Sequence, residues 1–152
     1  MGTFDPTTFL DATMTDANST ALVPCPEGEY QAIVIDEPKI RQFSGTKDPS
    51  KQYVALDLEW VIEDPRVTDI TQRKPTKVRQ SIMLDFTESG ALDMGKGRNV
   101  ALGRLREAVN MNQPGQAFSF RKLQGAMAKV KVTHSVADDT IYDEIRSVAR
   151  LA

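Results

Sequence analysis

The 152 residues contain one cysteine, one histidine and one tryptophan. A lone Cys25 excludes an internal disulfide framework, and no neighbouring histidine or other base activates it, so no role is assigned to it. The N-terminus lacks a basic-then-apolar leader pattern, which leads to the expectation of a cytoplasmic chain. His134 has no cysteine or carboxylate at metal-ligand spacing, so neither a zinc site nor an imidazole base is suggested; no metal, no cofactor and no catalytic activity are expected. No apolar run approaches the roughly 20 residues of a spanning helix, and no membrane partner is expected.

A strong charge of either sign is also missing. The formal net charge is -2, from 19 basic and 21 acidic side chains. Residues 1–26 hold Asp5, Asp11 and Asp16 and no Lys or Arg, so the remainder carries a formal balance of +1. Such a body permits a basic stripe. Residues 1–26 are rich in Thr, Asp, Asn, Ser and Ala, with scattered Phe4, Phe9 and Leu10, and read as a flexible acidic arm closed by Pro24 and Pro26. Residues 27–152 read as one domain, large enough for one hydrophobic core.

Within that domain, Tyr30 to Ile35 is a β-branched first strand that continues past Pro38 to Phe43, the proline marking an edge, bend or bulge. Ser44 to Ser50 has turn chemistry. From Tyr53 to Ile62, Val54, Leu56, Leu58, Trp60 and Ile62 alternate with Tyr53, Ala55, Asp57, Glu59 and Val61, a half-buried second strand with the first set inward. Arg66 to Pro75 is expected to be a long exposed loop. In a third strand, Val78, Ile82, Leu84 and Phe86 face inward, and Lys77, Arg79, Ser81 and Met83 outward. Ala101, Leu102, Leu105, Ala108 and Val109 form a helical stripe with Asn99 as N-cap. Ala126, Ala128, Val130 and Val132 then alternate with Met127, Lys129, Lys131 and Thr133 as strand four, and Asp138-Asp139 turns the chain into strand five, Ile141 to Val148. Three strands, a helix and a closing hairpin give a mainly β chain in the order of a five-stranded OB-type barrel, with one helix between strands three and four. A sandwich with an inserted helix is the alternative.

The stretches Pro26-Glu27-Gly28-Glu29-Tyr30, Lys51 to Trp60, Leu102 to Val109, Leu123-Gln124-Gly125, Ala128 to Val132 and Tyr142 to Ile145, in this order and spacing, resemble the small OB-fold single-stranded-DNA-binding proteins of bacteriophages. The resemblance spans about residues 26–148. It implies a non-sequence-specific protein that coats and protects single-stranded DNA in phage replication or recombination, within the host cytoplasm. Replication or recombination proteins are further candidate partners, and homo-oligomerisation is left open. Many such proteins end in an acidic tail, whereas this chain ends Val148-Ala149-Arg150-Leu151-Ala152 and carries its acidic segment in the arm. The rival reading is a structural or adaptor β-barrel of a phage particle that binds protein.

Holding a single strand requires cations for the phosphates and aromatic faces for the bases. Tyr53, Lys77, Arg79, Lys129 and Lys131 lie on the expected outer faces, and loops and strand ends add Lys39, Arg41, Phe43, Lys47, Arg73 and Lys74. Tyr53 is the first stacking candidate because it faces away from Val54, Leu56 and Leu58. Phe43 is the second, a barrel-end plug being its other reading. Trp60 and Phe86 share register with aliphatic residues and are assigned to the core. Asp57 and Glu59 share the outer face and are expected to repel phosphate. Gly95-Lys96-Gly97-Arg98 lacks the spacing of a phosphate-binding P-loop and reads as a flexible basic loop.

Overall fold

Pro38 has no N–H to give to a ladder, and the first extended segment breaks beside it into two strands. The computed structural model describes residues 3–151. Six antiparallel strands form one sheet: β1 (Gly28–Val34), β2 (Lys39–Ser44), β3 (Gln52–Ile62), β4 (Thr76–Leu84), β5 (Met127–Ala137) and β6 (Thr140–Ala149). Among the described residues three short helices accompany them, α1 (Pro6–Leu10), α2 (Pro65–Thr71) and α3 (Val100–Ala108), with a 3-10 turn at Phe120–Leu123. The fold is therefore mainly β and built on one continuous sheet, not on the two sheets of a sandwich.

The strand order is β2-β3-β1-β5-β6, and β4 pairs with the other edge of β3. β3 thus meets β2 through Gln52 to Asp57 and β1 through Trp60 and Val61 on one edge, and β4 from Val54 to Ile62 on the other. The sheet is open. β4 and β6 approach within 8 Å between Cα atoms but share no ladder, and α3 packs against both.

The inward set of β3 forms the core with Val78, Ile82 and Leu84 of β4, Ala128, Val130 and Val132 of β5, and Leu102 and Leu105 of α3. Trp60 is fully buried, and its Nε1 donates to Gln80 Oε1 at 2.8 Å, which satisfies the one polar atom its ring brings inside. At the end of the β5–β6 hairpin, Asp138 and Asp139 both take positive φ, the geometry of a tight two-residue turn.

Four expectations need correction. Arg66 to Pro75 is not simply a loop: Asp64 caps α2 by accepting from the Arg66 N–H at 2.9 Å, Pro65 opens the helix, and Val67 and Thr71, one turn apart, are buried. Phe86 is exposed, because β4 ends at Leu84 and the alternation ends with it. Ala101 is exposed, and the buried stripe of α3 is Leu102, Leu105 and Ala108. Asn99 does occupy the N-cap position, but its side chain bonds to the backbone of Asp85 and Asp93 and caps nothing.

The end of the arm is part of the folded body. Cys25 is fully buried in the core cluster, and its N–H donates to Asp143 at 2.7 Å. His134 Nε2 bonds the Cys25 carbonyl at 2.7 Å, and the Arg73 guanidinium donates to the Val23 carbonyl at 2.8 Å. Earlier in the arm, Asp5 caps α1 by accepting from the Thr7 N–H.

Two outcomes follow from this packing. Burial, reinforced by the Asp143 carboxylate, pushes the Cys25 thiol up to about 11. Little thiolate exists at pH 8, so a disulfide reagent should label native protein slowly and denatured protein at the rate of a free thiol; equal rates contradict the anchored arm. Replacing Gln80 with Ala orphans the Trp60 N–H and should cost about 1–3 kcal/mol in urea denaturation.

Candidate nucleic-acid interface

Phe43 and Tyr53 are directly opposed across the β2–β3 ladder and project from its outer face. Their rings stack at 5.7 Å between centroids and 29° between planes. The Arg41 guanidinium, two residues before Phe43 on the same face, lies 4.6 Å from the Phe43 centroid. A row of flat groups, Arg41, Phe43 and Tyr53, thus runs along the sheet surface.

The loop from Ser44 to Lys51 folds back on this row. Gly45 donates its N–H to the Lys51 carbonyl at 2.9 Å, and Lys51 donates to the Asp48 carbonyl at 3.0 Å. The close approach demands glycine: a Cβ at position 45 would lie 2.9 Å from the Tyr53 ring and 2.8 Å from the Asp48 carbonyl oxygen. Between loop and strands lies an open hollow of about 490 Å³, lined by Phe43, Lys47, Lys51, Tyr53 and Met83 among others. Its floor is apolar, and its rim carries Lys47 and Lys51 together with Asp48. Lys51 and Met83 were not singled out from sequence; Met83 could have been, since it belongs to the outward set of β4 and pairs with Ala55 between the aromatics and Asp57.

Next along this face is an ion cluster centred on Asp57. Its carboxylate accepts from Arg41 Nε at 2.9 Å, from Arg79 Nη2 at 2.8 Å and from Ser81 Oγ at 2.6 Å. Burial alone pushes this carboxyl up, but the bonds from Arg41, Ser81 and Arg79 outweigh it and hold Asp57 below the ordinary carboxylate range.

No family model matches the chain, and no curated protein matches it.

Of the eleven candidates, Lys39 lies cross-strand from Asp57 on β2, and the other ten divide by position. Arg41, Phe43, Lys47, Tyr53 and Arg79 are gathered around the hollow and the Asp57 cluster. Lys77 lies beyond them, bonded to Asp36 at 3.1 Å and near Glu59 at 3.7 Å. Lys129 and Lys131 belong to another part of the sheet, because β3 and β1 intervene between β4 and β5. Lys129 there pairs with Glu29 at 3.2 Å, and Lys131 faces Glu29 across the ladder. The faces of β4 and β5 thus do not make one groove. Arg73 is turned to the anchor of the arm, near Asp143 at 3.6 Å, while Lys74 is exposed beside it.

Other polar groups have local tasks. Gly95 donates its N–H to Asp93 at 2.9 Å and Arg98 lies 3.7 Å from the same carboxylate, so the loop's own acid meets two of its candidate anion donors. Among the described residues no group of three or more His, Cys, Asp or Glu side chains could hold a metal ion, and no helix is long and apolar enough to cross a membrane.

The depressed Asp57 value has a definite sign. A carboxylate with a lower pKa in the folded than in the unfolded chain stabilises fully above its unfolded value of about 3.9, and this contribution is lost as pH falls through the folded value. The stability gap between the parent and Asp57→Asn should be constant above about pH 5 and close below about pH 4. A gap unchanged down to pH 2 in denaturant titrations rules the cluster out as a stabilising element.

Proposed function

We propose that this chain is an OB-type domain that holds single-stranded DNA without sequence specificity and catalyses nothing. The observation that carries the reading is the stacked Phe43–Tyr53 pair beside a hollow rimmed by Lys47 and Lys51, neither of which has a carboxylate within 4 Å among the described residues. An apolar floor accepts bases of any identity through their faces, and mobile cations at the rim accept the phosphates.

The strand arrangement supports the OB assignment. Counted as one strand bent at Pro38, β1 and β2 flank both β3 and β5, and α3 lies between β4 and β5 in the chain. OB folds are five-stranded, partly open barrels that bind oligonucleotides on the face of their second and third strands and through the loop joining the first two. In that count, Tyr53 and Met83 lie on this face, and residues 45–51 belong to this loop. The biological role proposed is to coat and protect single strands during phage replication or recombination, in the host cytoplasm and with replication or recombination proteins as partners.

The alternative, an adaptor of a phage particle that binds protein, draws on a different observation. Val136, Ile141 and Tyr142 are exposed near the end of the β5–β6 hairpin, and Phe4, Phe9 and Leu10 are exposed in the arm.

Fluorescence titration of a labelled oligonucleotide at two salt concentrations separates the readings. Binding should weaken steeply with salt and favour single strands over duplex. Tyr53→Ala and Phe43→Ala should each cost about 1–3 kcal/mol of binding. No binding at low salt, or equal affinity for duplex, sinks the DNA-binding proposal.

A further inference from the structure

Asp57 sits on the face assigned to the polyanion, where an isolated carboxylate would repel phosphate. Its surroundings reverse that expectation. The Asp57 side chain is only 14% exposed, whereas those of Arg41 and Arg79 above it are 42% and 58% exposed. A guanidinium carries five N–H donors. Arg41 gives Asp57 two of them, from Nε at 2.9 Å and Nη2 at 3.5 Å, and Arg79 gives one, from Nη2 at 2.8 Å. Both retain Nη1 and further donors for a second acceptor. Ser81 Oγ, donating to Asp57 Oδ1 at 2.6 Å, fixes the carboxylate from the β4 side.

The charge balance points the same way. One half-buried carboxylate between two more exposed guanidiniums leaves a net charge of +1, directed outward. Lys39, cross-strand from Asp57, adds a further cation with no carboxylate within 4 Å among the described residues. On the side away from Phe43, Asp36, Glu37 and Glu59 line an adjoining hollow of about 500 Å³ that shares Lys39, Asp57 and Arg79 with the cluster. An anion is disfavoured there and favoured toward Phe43, over which the Arg41 guanidinium already lies.

We infer that Arg41 and Arg79, held in fixed orientation by Asp57, form a binding site for one backbone phosphodiester of the strand whose bases stack on Phe43 and Tyr53. Asp57 is a positioning residue: it holds two flexible side chains in place so that less conformational freedom is lost when the phosphate binds. The inference rests on the single-strand reading and adds to it a particular pair of phosphate ligands and an acid that strengthens binding to an anion.

The sign of one substitution tests it. Asp57→Asn removes a negative charge, so a simple electrostatic surface should bind an oligothymidylate more tightly, with a log–log salt slope steeper by about 0.7. A positioned pair should instead bind about threefold to tenfold more weakly, with a slope shallower by about 0.7 as its one phosphate contact is lost. Glu59→Gln makes the same charge change in the next row and should leave binding unchanged or tighter. Thermal melting of each variant establishes that it is folded. Should Asp57→Asn not fold, Arg79→Lys keeps the charge but not the planar fork; it should weaken binding severalfold under the inference and leave it unchanged under simple attraction. Tighter binding by Asp57→Asn, or unchanged binding by Arg79→Lys, overturns the positioned pair. A parent protein that binds no oligonucleotide overturns the single-strand reading itself.

Discussion

β3 carries ladder hydrogen bonds along both edges, to β4 on one side and to β2 and then β1 on the other. A strand bound in this way cannot slip by one residue without turning every side chain to the opposite face. Its register therefore fixes two surfaces together. Leu56, Leu58, Trp60 and Ile62 are committed to the core, and Tyr53 and Asp57 to the outside. The aromatic row and the ion cluster inherit their spacing from this one strand and from the neighbours that pair with it.

That outer surface is far less cationic than a tally of its Lys and Arg suggests. Arg41 and Arg79 share Asp57, Lys77 meets Asp36 and Glu59, and Lys129 meets Glu29. Exposed pairs of this kind contribute little to stability, since solvent screens them and ordering two long side chains costs entropy. Among the described residues, the cations with no carboxylate within 4 Å include Lys47 and Lys51 at the loop and Lys39 at the β2 edge, but also Lys74, Lys96 and Lys131 elsewhere.

How much of this was legible in the sequence depended on the range of the interaction. The inward sets of β3, β4 and β5 and the Asp138-Asp139 turn are local patterns, and the structure contains them, although Ala55 and Val61 of the outward set of β3 are buried as well. α2 was also written locally, in Asp64 followed by Pro65, a cap and a helix-opening proline ahead of the residues expected to form a loop. Phe86 was misplaced because alternation does not announce where a strand stops. The separation of Lys129 and Lys131 from Lys77 and Arg79 was not readable at all, since it depends on which strands become neighbours. The pairing of Arg41 and Arg79 through Asp57 joins three strands, and no spacing in the chain encodes it.

The buried Cys25 determines where the domain can be cut. Composition alone places the boundary after Pro26, yet a fragment starting there lacks the side chain that occupies this part of the core, the N–H that meets Asp143 and the carbonyls that meet Arg73 and His134. It would retain a void and several stranded polar groups, each with a desolvation cost. The smallest self-sufficient unit thus begins no later than Val23, and the chain before that point can be trimmed or fused without disturbing these bonds.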